Sequence, residues 1–401
     1  LEVLSVAQTV NLERQTQDPA PPESGFEAPV SVGQAQTLLA GIDRHAGKVF
    51  LWPAVLSILV LSIFPFIASL YLSLARFKFV KGGFELNFVG LANYQKLVVG
   101  SQKTQFLGSL KTPDPLGWVV FGLIGVALAL FLVQYIRGSK FSISGLFWRG
   151  VMVAGMLLFA WLVVQTLFSE GGSPGTVVVT LIFVFGGTIV QYVLGLSLAL
   201  AASQKLPGQR FFRVLFIVPM MISPVAFAYM FRMLTDPKIG PFKPLWRILG
   251  LTDYAWSVDP WGARVAIIIG DTWQWVALIF IFLLAALKSQ PVQLLEAAVV
   301  DGANRWQIFW HITMPQLLPL STTLILIRLI ESFKIVDLPL VLTGGGPGVA
   351  TKSLSLQVVV NWRALNLGEA AAVAYMLVII TTFFALCFIV FVRNRAVEKL
   401  S

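Results

Sequence analysis

The sequence predicts an all-α integral membrane protein with about eight transmembrane helices. Composition, the length of its apolar runs and the placement of its charges carry that prediction. Of 401 residues, 57% are hydrophobic and 12% charged, and a mean hydropathy of +0.81 means more apolar surface than a soluble domain can hide. Runs near 49–75, 116–136, 147–168, 175–202, 211–231, 263–287, 317–342 and 370–392 each approach or exceed the about twenty residues that a helical crossing needs. Lysines and arginines lie singly between these runs, so the net charge of +10 reads as membrane-flanking charge and argues against a nucleic-acid partner.

In chain order, residues 1–47 are polar, with Pro19, Pro21 and Pro22 and scattered acids. They are expected to form a disordered cytoplasmic tail without a cleavable signal. Residues 48–98 hold the first span and an outer loop, 99–174 an extra pair of spans, 175–395 the main helical core, and 396–401 a second cytoplasmic tail. An even number of crossings puts both termini on one face, together with the loop at 288–316. Lys and Arg number 13 in the 70 residues of the proposed inner loops and 12 in the 105 of the outer ones, so the density per residue favours this orientation. Arg76, Lys78 and Lys81 after the first span argue the other way. The single cysteine, Cys387, lies in the last run, and His45 and His311 are far apart. That argues against disulfides and a His/Cys metal site, and no cofactor is expected on this chain.

The loop between the sixth and seventh runs is the most specific stretch. Ser289 is placed to cap a helix, Pro291 suits its first turn, and Leu294, Leu295, Ala298 and Val299 repeat at helical spacing. Gly302 is expected to end or bend that helix. A second short helix with Trp306, Phe309 and Trp310 on one side is expected to end before Pro315. Two short amphipathic helices around a glycine elbow outside the bilayer suit a groove in a soluble partner.

The string Glu296-Ala297-Ala298-Val299-Val300-Asp301-Gly302-Ala303, with Trp306-Gln307 and Ile312-Thr313-Met314-Pro315, resembles the EAA loop of permease subunits of bacterial ABC importers. Its full form looks like the carbohydrate-importer branch of the binding-protein-dependent transport family and is similar to the larger permease subunit of maltose importers, with Met314 where leucine is usual. The resemblance also takes in Phe88 to Tyr94, Gly195 to Ala201, Phe212-Arg213, Pro219 and Ile222-Ser223-Pro224, and skips residues 99–174. It implies a six-helix permease core plus an inserted helical pair. It further implies a bacterial inner membrane location, a second permease subunit, two ATP-binding cassette subunits that carry ATP and Mg, and a periplasmic or extracellular solute-binding protein. The chain itself would be no enzyme. Coupling to the ATPase would involve Glu296, Ala297, Ala298 and Gly302, with Asp301 and Arg305 as further candidates.

Polar groups inside apolar runs point to a solute pathway, because lipid does not tolerate them. The sixth run holds Asp271, Trp273, Gln274 and Trp275, and aromatic faces beside planar polar groups suit a sugar. Tryptophans there also fit an interfacial anchor. The seventh run holds Arg328, Glu331, Lys334 and Asp337, whose alternating signs at three-residue spacing let neighbours pair along the helix. Glu331 and Lys334 are the pathway candidates of this set, and the alternative is a self-neutralised packing ladder. Tyr229 is expected to contribute from the fifth run, and Gln191 and Tyr192 from the fourth. Gly344, Gly345, Gly346 and Pro347 read as a tight turn at the outer face. No Gly-Lys-Ser/Thr follows to make a phosphate loop.

These features lead to an expected function: import of a carbohydrate or related polar solute by alternating access, in contact with membrane lipids. A membrane-embedded transferase or other multi-span enzyme is the alternative, but no Asp-x-x-Asp or His-rich loop supports it. A stand-alone channel would leave the EAA-like loop without a purpose.

Overall fold

The computed structural model describes residues 51–137, 142–204, 209–250 and 255–393. The expected tails, 1–47 and 396–401, lie outside the described residues. The chain divides into two units, Leu1–Phe66 and Ile67–Ser401.

Helix α1 covers Leu51–Ser73, followed by an antiparallel hairpin of β1 (Ala75–Val80) and β2 (Gly83–Phe88). Short helices α2 (Ala92–Val98) and α3 (Lys103–Phe106) lead to β3 (Gly108–Ser109). Two long helices, α4 (Pro115–Arg137) and α5 (Ile143–Leu167), form the extra pair. Their base is closed by β3 pairing with β4 (Ser173–Pro174). Helix α6 is Thr176–Ser203, α7 Gln209–Met221, α8 Pro224–Thr235 and α9 Lys243–Ile248. Helix α10 is Pro260–Lys288, α11 Val292–Val300, α12 Arg305–Ser332, α13 Asp337–Thr343, α14 Leu354–Arg363 and α15 Leu367–Val392.

Among the described residues, seven helices are long and apolar enough to cross a membrane, or eight if a bent pair counts as one span. That pair corrects the expected straight fifth span. Residues 214–221 and 224–235 meet at 106°, because Pro224 lacks an N–H to continue the helix and disfavours α geometry at Ser223, which is extended (ψ 132°). The seventh span also ends earlier than expected. Helix α12 ends at Ser332 and α13 restarts at Asp337, so Glu331 and Lys334 stand at a helix break and not at mid-span.

The core is helix on helix. Gly195 on α6 lets α10 approach closely, since a Cβ there would lie 2.7 Å from Ile279 Cγ2. Phe280, Leu283 and Leu284 of α10 pack with Ala199 and Ala202 of α6 and Leu324 of α12. A second cluster joins Val177 and Val184 of α6 to Leu329 and Phe333, Leu354, and Val373 and Phe384 of α15. The extra pair packs on α15 through Phe159, whose ring lies 5.0 Å from that of Phe384. Gly155 faces Phe383 so closely that a Cβ would sit 2.5 Å from its ring.

Candidate functional site

The 289–315 loop folds as two helical pieces about a glycine, with two corrections. Ser289 does not cap α11, because its Oγ donates back to the Ala286 carbonyl and Pro291 holds the capping position. The second helix does not stop before Pro315. It passes through a π-turn at Phe309–Thr313 and continues as α12, and the wider turn makes room for a ring that would clash with the carbonyl four residues back. Gly302 takes φ +80°. The Gly302 N–H bonds Val299 O and the Ala303 N–H bonds Ala298 O, which satisfies the end of α11 in a left-handed cap. Nothing lies within 4 Å of a Cβ placed at Gly302, so the glycine serves backbone conformation, not space.

Asn304 and Gln307 then form a capping box at the start of α12. Gln290 Nε2 donates to Thr313 O at 3.3 Å, tying the two ends of the loop together. Glu296, Ala297, Asp301, Gly302 and Arg305 are exposed on this frame, whereas Ala298 is turned inward. Trp306, Phe309 and Trp310 gather as the periodicity predicts, with centroids 5.2 to 6.0 Å apart.

Inside the spans the structure regroups the polar candidates. Arg328 of α12 does not pair along its own helix. Its guanidinium donates to Asp271 of α10 and to Gln191 of α6, while Gln191 Nε2 donates to Asp271 Oδ2 at 2.7 Å. Among the described residues Arg328 is the bulkiest fully buried side chain, and it also lies 4.8 Å over the Trp275 ring. Three helices are thus tied by one closed charge-assisted network. The i,i+3 ladder survives only at Glu331 and Lys334, 2.8 Å apart and partly exposed.

A cavity of about 140 Å³ is lined by Asp271, Gln274, Trp275, Arg328, Glu331 and Lys334, among others. It lies below the about 300–1,000 Å³ of ordinary small-molecule sites, so this cavity alone is too small to enclose such a ligand. Trp273 is not in that lining, because its ring stacks on Phe227 at 4.4 Å. Tyr229 faces a different opening of about 800 Å³, with Met230 and Met233. Tyr192 donates to Ser321 Oγ at 2.9 Å.

At Gly344–Pro347, Gly344 and Gly345 take φ +62° and +91°. Their N–H groups close α13 on the carbonyls of Leu340 and Pro339. Thr351 bridges Thr343 at 2.6 Å and Gly346 O at 2.8 Å. Two arginines that sequence reasoning passed over pin this turn: Arg264 Nε donates to Ala350 O and Arg232 Nη1 to Val341 O. Each is a lone charge beside an apolar run, and their position was the only signal.

Residues 191–400, just over half of the chain, match the family model described as "Binding-protein-dependent transport system inner membrane component". The chain belongs to this family. It is therefore a multi-pass inner membrane permease component, and the alternative of a membrane-embedded transferase falls away. The match takes in the exposed loop, Asp271, Arg328 and the Gly344–Pro347 turn.

Among named relatives of this permease, the trehalose/maltose transport system permease protein MalF of Thermococcus litoralis is 31% identical over 217 residues, covering 54% of this chain and 74% of its own. The sn-glycerol-3-phosphate transport system permease protein UgpA of Brucella abortus is 31% identical over 212 residues, 51% of this chain and 70% of its own. In fold, the permease is similar to a chain of a bacterial alginate ABC transporter solved with an alginate pentasaccharide-bound periplasmic protein. That likeness has a TM-score of 0.58 at 16% identity and covers 90% and 98% of the two chains.

Proposed function

We propose that this chain is the membrane-spanning permease subunit of an ATP-driven importer for a carbohydrate or related polar solute. It would work with a second permease subunit, two ATP-hydrolysing subunits and an external solute-binding protein. The observation that supports this reading most is the capped helix–elbow–helix between α10 and α12. Glu296, Asp301 and Arg305 stand exposed on it, and it falls within the residues matched to the family. The inward Ala298 would seat α11, and Gly302 would set the angle at which the two pieces meet a groove in the ATPase.

Solute enters this reading through the relatives, whose names include trehalose/maltose and sn-glycerol-3-phosphate. The Asp271–Gln191–Arg328 network and the cavity beside it supply polar groups for part of a pathway, which the second permease would complete. Alternating access then requires that solute and ATP each bind the two conformations with different affinity. ATP and Mg would act on the partner subunits alone.

The test is ATP hydrolysis by the reconstituted complex with its binding protein, comparing native chain with Glu296→Lys and Gly302→Asp. Stimulated hydrolysis and uptake should fall at least tenfold while the helices stay folded by circular dichroism. Normal hydrolysis and uptake in both variants would reduce the loop to an interfacial hairpin and sink the reading.

A further inference from the structure

The β1–β2 hairpin was not legible as a functional element, and nothing in the coupling or pathway reading uses it. Its pairing register, with Phe77 opposite Leu86, Lys78 opposite Glu85 and Ala75 opposite Phe88, sorts the side chains by face. Phe77, Phe84, Leu86 and Phe88 share one face, and Arg76, Lys78, Glu85 and Asn87 share the other. The hairpin is held firmly at its base. Asn93 Nδ2 donates to Ser73 O and Ala75 O at 2.8 and 3.0 Å. Ala75 itself is fully buried, and Gly368 at the start of α15 sits so close that a Cβ would lie 2.2 Å from Ala75 O. The apolar face is nonetheless open at both ends of the second strand: Phe84 is 65% and Phe88 64% exposed.

A two-stranded ribbon is marginal alone and needs its apolar face covered. What covers it follows from continuity. The first strand starts two residues after the spanning helix α1 ends, and the exposed Tyr71 ring near the end of α1 stacks on Phe88 at 6.3 Å. The apolar face therefore continues the side of a membrane helix at its aromatic interfacial end. Arg76 and Lys78 lie on the opposite face and Lys81 at the turn, three cations against the single acid Glu85. Apolar rings below and cations above is the arrangement of an element lying flat in a lipid interface.

We propose that the Ala75–Phe88 hairpin is an interfacial lipid anchor, with Phe84 and Phe88 among the acyl chains and Arg76, Lys78 and Lys81 at the phosphate headgroups. It fixes the depth of the permease at that face and does not depend on which solute is carried.

The chain offers a clean test, because Cys387 is its single cysteine and is buried. In a Cys387→Ala background, Phe84→Cys, Phe88→Cys and Asn87→Cys would each carry an environment-sensitive fluorophore. The assembled transporter would be placed in phosphatidylcholine vesicles with and without phosphatidylglycerol. Labels at 84 and 88 should be blue-shifted and quenched at least threefold more by lipid spin-labelled at acyl carbon 5 than the label at 87, and more strongly when phosphatidylglycerol is present.

Water-exposed, unquenched labels at 84 and 88 would overturn the anchor. So would labels that lipid does not quench but that assembly or added binding protein shields, an outcome that would assign the face to a protein partner. Lipid quenching that ignores phosphatidylglycerol would overturn the headgroup contact of the three cations. A stability control, Phe84→Leu with Phe88→Leu, should retain the lipid contact at a label on Leu86→Cys, since leucine still partitions into lipid.

Discussion

Arg328→Met should be among the most damaging single substitutions in the chain. The side chains of Arg328 and Asp271 are 2% and 7% exposed, so removing the guanidinium leaves a carboxylate with only Gln191 to stabilise it. Breaking one side of such a buried pair costs about 3–5 kcal/mol. At about 2.1 cal/mol/K of unfolding entropy per residue, a chain of 401 residues shifts by about 1.2 °C per kcal/mol, so the melting temperature in lipid nanodiscs should fall by about 4–6 °C. Heating at one fixed scan rate makes the comparison sound, because unfolding of a membrane complex is a rate as much as an equilibrium.

Asp271→Leu should fall by a similar amount, because it strands the guanidinium. The double variant Arg328→Met/Asp271→Leu should recover most of the loss, stopping about 1–3 kcal/mol short because Gln191 then has no partner. The double variant therefore decides the matter. If it falls as far as the two single losses added together, the residues contribute independently and the network is not a unit. A single variant within about 1 kcal/mol of native, the level of an exposed pair, would equally refute the argument.

Two further outcomes follow from local geometry. Gly195→Val places a methyl-bearing carbon where Ile279 Cγ2 is 2.7 Å away, so α6 and α10 must part. Overpacking of this kind costs about 1–3 kcal/mol, read as a lowered melting temperature that Ile279→Ala partly restores, and an unchanged melt would contradict the tight approach. At the C-terminal end of α8, Asp236 accepts from the Ile239 and Lys238 N–H groups, and those two bonds, Ile239 first, hold its carboxyl below the usual carboxylate range. A depressed folded pKa adds stability above the unfolded value of about 3.9 and loses it as pH falls through the folded one. Amide protection at 238–239, corrected for intrinsic exchange, should thus weaken below about pH 4 in the native chain. It should be nearly flat with pH in Asp236→Asn, and since Asp236 is only partly buried the effect is small.

Most spans were legible because a run of about twenty apolar residues has no other stable fate. The glycine elbow at Gly302 was legible because only the backbone conformation mattered there. The misses share a different physics. The hairpin's alternation, Phe77 against Lys78 and Phe84 against Glu85, runs for only six residues per strand beside a strongly apolar helix whose signal dominates it. Arg328 has an acid three residues on in Glu331, and sequence offers no way to see that Asp271, 57 positions earlier, competes better once both are buried. Proximity along the chain favours the local pair. Desolvation favours the partner that also brings Gln191 and the ring of Trp275. The break after Ser332 was hidden because the charges that flank it, Glu331, Lys334 and Asp337, read as a ladder along one continuous helix.

Helix α12 gives the importer reading a mechanical argument. It carries Arg305 of the exposed loop near one end and Arg328 of the buried network near the other, within one helix from Arg305 to Ser332. At 1.5 Å per residue the two lie about 35 Å apart along the axis. A push on the loop therefore need not pass through a chain of side-chain contacts; it can pass through a rod. The rod has two soft places between Arg305 and Arg328, the π-turn at Phe309–Thr313 and the interior Pro319. Beyond them, Leu324, Arg328 and Leu329 are all buried, so the far part of α12 is gripped by its neighbours and must move with them. A tilt of the loop is then delivered to the Asp271–Gln191–Arg328 junction as movement of three tied helices. The same junction lines the polar cavity, so under the importer reading a turn of the loop would reach that cavity.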